Sequence, residues 1–226
     1  MPPKSLMMHT HEKIPVFAIN LESRVDRFKS INSEFLNRGS FQLEIVKAIE
    51  HPYGAYGLWK TIYNIIDDSD KRGDEFVLIC EDDHIFTEHF DIEDFKDKIT
   101  ESKSIGADVL LGGLSWSRGV IHSVDNLYWV DSFNGTQFMI IFRRFFQKFL
   151  AIPIEKDITV DMAISNATNH IMVMYPFISI QHEFGYSDAT DNNNNVGYVD
   201  ALFKASMNKF EQLDKVSKIL YNRIHS

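Results

Sequence analysis

Phe76-Val77-Leu78-Ile79-Cys80 is an unbroken apolar run that ends at once in Glu81-Asp82-Asp83. A run this short with no polar partner predicts a strand buried on both faces, because a helix needs more length. Three carboxylates packed at its C-terminal end cannot all ionise without a positive charge among them. In open α/β sheets that end of a central strand is where ligands bind. A hard divalent cation, shared by one or two carboxylates and the phosphates of a nucleotide, would balance the charge. The plainer alternative is a solvated acidic turn ahead of a helix beginning at Asp91.

The flanking pattern supports the strand. Val16–Ile19 reads as a strand, followed by a helix N-capped by Ser23 with Phe28, Ile31, Phe35 and Leu36 inward and Gly39 as its stop. Leu43–Ile49 is a second strand. Tyr56–Ile66 is an amphipathic helix, and Asp67–Asp74 a charged loop. Ile92–Ser102 is a helix and Val109–Leu111 a strand. This alternation predicts a parallel sheet with helices on its faces. Beyond Gly112-Gly113 the pattern is more irregular: short strands at Val120-Ile121, Leu127–Val130 and Phe138–Phe142, then helices at Arg143–Leu150 and Met162–Ala167. Strands at Ile171–Met174 and Phe177–Ile180 follow. The polar stretch Asp191–Asn195 predicts a loop, and Val199–Ile224 an amphipathic helix. One domain over 14–226, behind a loose leader at 1–13, is the expected organisation.

Composition narrows the partners. A net charge of −9 argues against nonspecific nucleic-acid binding. The single Cys80 excludes a disulfide framework and fits a reducing compartment. No segment reaches the roughly 20 apolar residues of a membrane span, so a cytoplasmic protein, with peripheral membrane contact still open, is the expectation.

A second polar cluster lies at the end of the first strand. Asn20 is followed by Arg24 and Arg27, which share one helix face near its N-terminus. Arginine there opposes the helix dipole and needs another justification. Pairing with Glu22 and Asp26 is the plain one. A diphosphate bridging these arginines and a metal at the acidic end is the economical one.

With these residues in view, the chain resembles glycosyltransferase family 25, the lipooligosaccharide-type and collagen-type sugar transferases. Val16-Phe17-Ala18-Ile19-Asn20-Leu21 with Arg24 and Arg27 is similar to that family's opening, and Leu78–Asp83 to its acidic metal motif. Asn134–Ile141 with the basic helix after it, Asp161, and Pro176…Gln181…Ser187-Asp188 follow in the same order. The resemblance spans roughly Val16–Thr190. It implies a GT-A-like α/β fold: one domain with a Rossmann-like mixed sheet flanked by helices. Within it, 14–113 would be the nucleotide-sugar half, 114–198 the acceptor half and 199–226 a terminal helix. It further implies a nucleotide-diphosphate sugar donor, a UDP-sugar first, and a divalent cation, Mn2+ before Mg2+. Transfer would be to a hydroxyl of a saccharide or glycoconjugate, with inversion. The family's Ser-His pair on the second helix is absent from Ala55-Tyr56-Gly57-Leu58-Trp59-Lys60, which marks a divergent member.

On this reading Asp83 and Glu81 are metal ligands, with His182 at another strand end as a third. Asp82 points away on the pleat. Asn20, Arg24, Arg27, Lys60 and Asp82 would contact the donor. Asp161 is the expected base for the acceptor hydroxyl, and Asp188 its rival. Trp116 is the best placed of three tryptophans to stack on a sugar. A Walker-type hydrolase is excluded, since no Gly-rich loop ends in Gly-Lys-Ser/Thr. A phosphatase would need a different acidic order. A non-catalytic relic that only binds nucleotide or sugar stays open.

Overall fold

The structure, a computed structural model, describes residues 13–185 and 197–224. Its elements in chain order are β1 (Ile14–Asn20), α1 (Val25–Leu36), β2 (Phe41–Lys47), α2 (Gly54–Arg72), β3 (Phe76–Glu81) and β4 (His84–Phe86). There follow α3 (Ile92–Ser104), β5 (Val109–Leu111), β6 (Trp116–Ser117), β7 (Val120–Val124), β8 (Leu127–Val130) and β9 (Phe133–Asn134). The last are β10 (Phe138–Phe142), α4 (Arg143–Leu150), α5 (Val160–Ala167), β11 (Ile171–Met174), β12 (Ser179–Gln181) and α6 (Tyr198–Ile224).

Eight strands form one mixed sheet in the order β2-β1-β3-β10-β5-β11-β8-β7. The apolar run of β3 is central, as its composition requires, with parallel β1 on one side and antiparallel β10 on the other. Alternation along β3 builds two cores. Val77 and Ile79 pack with α2, α4, α5 and α6. Leu78 and Cys80 pack on the opposite face with Ile31 and Phe35 of α1 and Phe95 and Ile99 of α3. The result is an α/β domain of three layers, one mixed sheet flanked by helices, as expected from the sequence. Among the described residues, no helix is long and apolar enough to cross a membrane.

Several local expectations are corrected. The sheet is mixed, as expected, but its order departs from that of the chain: β10 inserts between β3 and β5, antiparallel to both, a non-local pairing that no periodicity announces. Asp67–Asp74 is not a loop. Helix α2 continues to Arg72, aided by a Lys71–Asp67 pair at i,i+4, and stops where Gly73 takes a left-handed φ of 84°. Arg24, not Ser23, occupies the N-cap of α1, with no side-chain capping bond. The buried stripe of α1 is Arg27, Ile31 and Phe35, while Phe28 and Leu36 are exposed. A charged side chain therefore takes the place an apolar one was expected to fill. The final short strand begins at Ser179 rather than Phe177 and pairs with β4, outside the main sheet. The polar stretch Asp191–Asn195 lies outside the described residues. His84 is wholly buried: it stacks on Phe138 at 4.7 Å and its Nδ1 lies 2.8 Å from Ser179 Oγ. Burial lowers its pKa to about 3, so it is a neutral core residue.

Gly57 sets how closely α2 approaches the chain leaving β2. Thr61 Oγ1 donates to Gly57 O at 2.8 Å and accepts from Ile49 N at 2.9 Å, tying the two segments together. Alanine in a helix interior is ordinarily better than glycine by about 1 kcal/mol. Here a Cβ would lie 2.2 Å from Ile49 O, a backbone atom with no rotamer to escape into. The clash decides the sign. Gly57→Ala should lower the unfolding free energy by about 1–3 kcal/mol in urea titration, and a variant more stable than the parent contradicts this packing.

Candidate active site at the end of the central strand

Strand register assembles the site. Ile19 pairs with Glu81 across the β1–β3 ladder, so the next residues, Asn20 and Asp82, leave the two strands side by side. Alternation sends Asp82 toward the α1 face and Glu81 toward the α2 face. Asp82 is 4% exposed. Its carboxylate accepts from Asn20 Nδ2 at 2.8 Å and Arg27 Nη1 at 3.1 Å, with Arg24 Nη1 3.8 Å away. Arg27 Nη1 also donates to Asp83 Oδ2 at 2.9 Å, and its guanidinium lies 4.9 Å from the Phe184 ring. The positive charge the acidic triplet needs is thus supplied by α1. The same carboxylates justify two arginines at a helix N-terminus, where the dipole alone would oppose them.

Compensation is incomplete on the other face. Glu81 accepts from Thr136 Oγ1 at 2.5 Å, a bond that draws its pKa down. Burial first, and the nearby Asp83 charge second, outweigh it and push the pKa up to about 8. Asp83 is raised to about 6, chiefly by burial, with Arg27 acting against the rise. Gln181 Nε2 lies 3.5 Å from Asp83 Oδ1, and His182 N donates to the Asp83 carbonyl at 2.7 Å. Two carboxylates held together yet costly to ionise suit a cation.

Both face a cleft of about 1040 Å³. Its walls come from the β1–α1 corner, the β2–α2 loop, the start of α5 and the first turn of α6. Asp161 lies in that wall and contributes to the electrostatic load on Glu81. It is in the first turn of α5, behind Thr159, whose hydroxyl donates to Asp161 Oδ1. Met162 N also donates to Oδ1, at 2.8 Å, and Gly135 N to Oδ2 at 3.2 Å. Gly135 holds a φ of 120°, which turns its N–H toward that carboxylate within the bend between β9 and β10.

The predicted residues divide accordingly. Arg24, Arg27, Glu81, Asp82, Asp83 and Asp161 line one cleft. Asn20 lies beneath them and orients Asp82. Lys60 is outside the lining, its amine 4.9 Å from the Tyr56 ring. His182 is exposed, packs edge-on against Phe184, and is not in the lining either. No group of three His, Cys, Asp or Glu converges as a ligand set among the described residues, so the triad of Glu81, Asp83 and His182 is not assembled. Asp188 lies outside the described residues. Trp59 is buried, whereas Trp116 is 48% exposed in the cleft wall. Sequence reasoning missed His51, which enters the wall from the β2–α2 loop, and Tyr198 and Leu202 of α6. His51 was findable, because it follows the C-terminal end of a parallel strand, where ligand crevices form.

No protein-family model matches the chain, and no curated protein matches its sequence. Among solved structures it is similar to A197 from STIV, with a TM-score of 0.52 and 15% identity over 77% of this chain and 87% of that one. At that identity the likeness concerns the fold alone. A glycosyltransferase involved in the glycosylation of the major capsid of PBCV-1 gives a TM-score of 0.48, with 10% identity over 78% of this chain and 95% of that one. UDP-glucose pyrophosphorylase complexed with UDP-glucose gives 0.46, with 11% identity over 88% and 81%. Both fall below 0.5, and neither adds weight on fold or function.

The arrangement makes Arg27 a counter-ion that the fold cannot lose cheaply. Its side chain and that of Asp82 are each 5% exposed. Arg27→Met should destabilise the protein by about 3–5 kcal/mol, the cost of leaving a buried partner charge uncompensated. Adding Asp82→Asn to it should restore part of that loss. Equal stability of the parent and the single variant in denaturant titration contradicts this role.

Proposed function

We propose that the chain is a metal-dependent glycosyltransferase, a divergent member of family 25, that takes a sugar from a nucleotide-diphosphate donor, a UDP-sugar first. The acceptor is a hydroxyl of a saccharide or glycoconjugate, and transfer proceeds with inversion. One observation carries this reading: at a single strand end Arg27 is shared between Asp82 and Asp83, and Glu81 and Asp83 face a cleft with raised pKa values. Two carboxylates plus donor phosphates make up the kind of oxygen shell that Mg2+ or Mn2+ takes, so the residues present fit the ion.

Glu81 and Asp83 would hold that cation, which when bound neutralises charge on the departing diphosphate. Arg24, in the cleft wall at the N-terminus of α1, would bind a phosphate oxygen. Asp161 is the proposed base. The three donors on its carboxylate fix its orientation, and it takes the proton from the acceptor hydroxyl as the new glycosidic bond forms. Asp188 is the second candidate for that task. The missing Ser-His pair at Ala55–Lys60 favours a second reading, a binding relic.

Donor hydrolysis with Mn2+, water replacing the acceptor, separates these readings. The parent should release UDP from UDP-glucose or UDP-galactose. Asp161→Asn should lower that turnover by about 10²–10⁴ while UDP affinity in calorimetry stays unchanged. Hydrolysis at the parental rate by Asp161→Asn moves the base elsewhere, with Asp188→Asn the next variant. Mn2+-dependent UDP binding without turnover by the parent makes the chain a relic, and equal UDP affinity in chelator removes the metal.

A further inference from the structure

Helix α6 is far longer than its packing needs. It runs 27 residues, but Val199, Phe203 and Phe210 are its buried core side chains, with Met207 and Leu213 partly buried against the same core. The Tyr128 hydroxyl holds Asp214 at 3.1 Å. Beyond Ser217 every described side chain is exposed. This end of the helix is not polar: Val216, Ile219 and Leu220 are 52%, 54% and 53% exposed. At i, i+3 and i+4 they form one face. Large aliphatic side chains scattered singly on a surface are ordinary, but an aligned face on a projecting helix marks an interaction site.

Charge identifies the partner. Residues 204–224 carry five lysine or arginine residues and two acidic ones, in a chain whose net charge is −9. Lys215 and Arg223, each four residues from Ile219, are exposed on the side of the helix that carries the apolar face, Lys215 at 58% side-chain exposure, while Lys218 lies further round the helix. The Lys215–Glu211 pair is a surface pair of little strength, and a long stem lets the Lys215 ammonium reach beside the apolar face. A second copy packed across a two-fold axis would set these basic flanks against each other. An anionic bilayer accepts both features together, taking the aliphatic side chains between headgroups and the cations beside phosphates. We infer that the exposed end of α6 is an interfacial anchor that docks the protein on an anionic lipid surface. This inference does not depend on the glycosyltransferase reading.

Co-sedimentation of the full chain with vesicles tests it. Binding to phosphatidylglycerol–phosphatidylcholine vesicles at about 0.1 M salt should exceed binding to phosphatidylcholine alone by about tenfold or more, and fall at about 1 M salt. The double variant Ile219→Glu, Leu220→Glu should lose this binding with an unchanged thermal midpoint, since neither side chain is in the core. Lys215→Gln with Lys218→Gln should weaken binding to the anionic vesicles alone. No pelleting with anionic vesicles, or pelleting that the Glu variants leave intact, overturns the proposal. So does a dimer in sedimentation velocity that the Glu variants dissolve, because the face would then belong to a second copy.

Discussion

The structure turns on the charge balance of three consecutive carboxylates at the end of a buried strand. A run such as Phe76–Cys80 must sit inside the sheet, and it carries Glu81, Asp82 and Asp83 with it into low dielectric. Nothing local can solvate all three. The fold answers with Arg27, which is 4% exposed and bonds both Asp82 and Asp83. The apolar stripe of α1 accordingly contains a guanidinium, and the β1–β3 register that brings Asn20 to Asp82 is tied to the same need. Breaking the arginine contact would strand buried charge, which costs far more than a surface pair gives.

That solution is lopsided, and its asymmetry leads to chemistry. On the α1 face every Asp82 oxygen has a donor. On the cleft face Glu81 accepts, among the described residues, from the Thr136 hydroxyl and meets the field of Asp83 and Asp161. A sheet built only for stability would place an apolar or amide side chain there. The cleft walls then complete the arrangement from distant parts of the chain. The β9–β10 connection brings Thr136, α5 brings Asp161, and β12 brings Gln181.

Local pattern made much of this legible. The periodicity of Val109–Leu111, Phe138–Phe142 and Ile171–Met174 locates those strands, and the amphipathic pattern of Arg143–Leu150 locates its helix, because burial on two faces or one leaves a direct mark on composition. The acidic cluster was legible for the same reason. What escaped was non-local or compensatory. No residue of Phe138–Phe142 declares that it will pair with β3 and β5 at once. Phe28 looked buried and Arg27 exposed because a helix wheel ranks residues by apolarity, while the real ranking was set by a carboxylate two strands away in the sequence. The burial of His84 is non-local in the same way, since it depends on Phe138 and Ser179, far along the chain. His51, Tyr198 and Leu202 carry no motif, and their common cleft exists only once the fold does.

The central claim is that Arg27 offsets only part of the charge of the triplet, which leaves Glu81 and Asp83 costly to ionise until the proposed cation binds. Carboxyl carbon NMR of the metal-free protein, titrated from acid to pH 9 with assignments from Glu81→Gln and Asp83→Asn, tests it directly. The account predicts that Glu81 titrates near 8 and Asp83 near 6, and that both midpoints fall when Mg2+ and UDP are added. Midpoints near the ordinary carboxyl value of about 4, unmoved by Mg2+ and UDP, would contradict it.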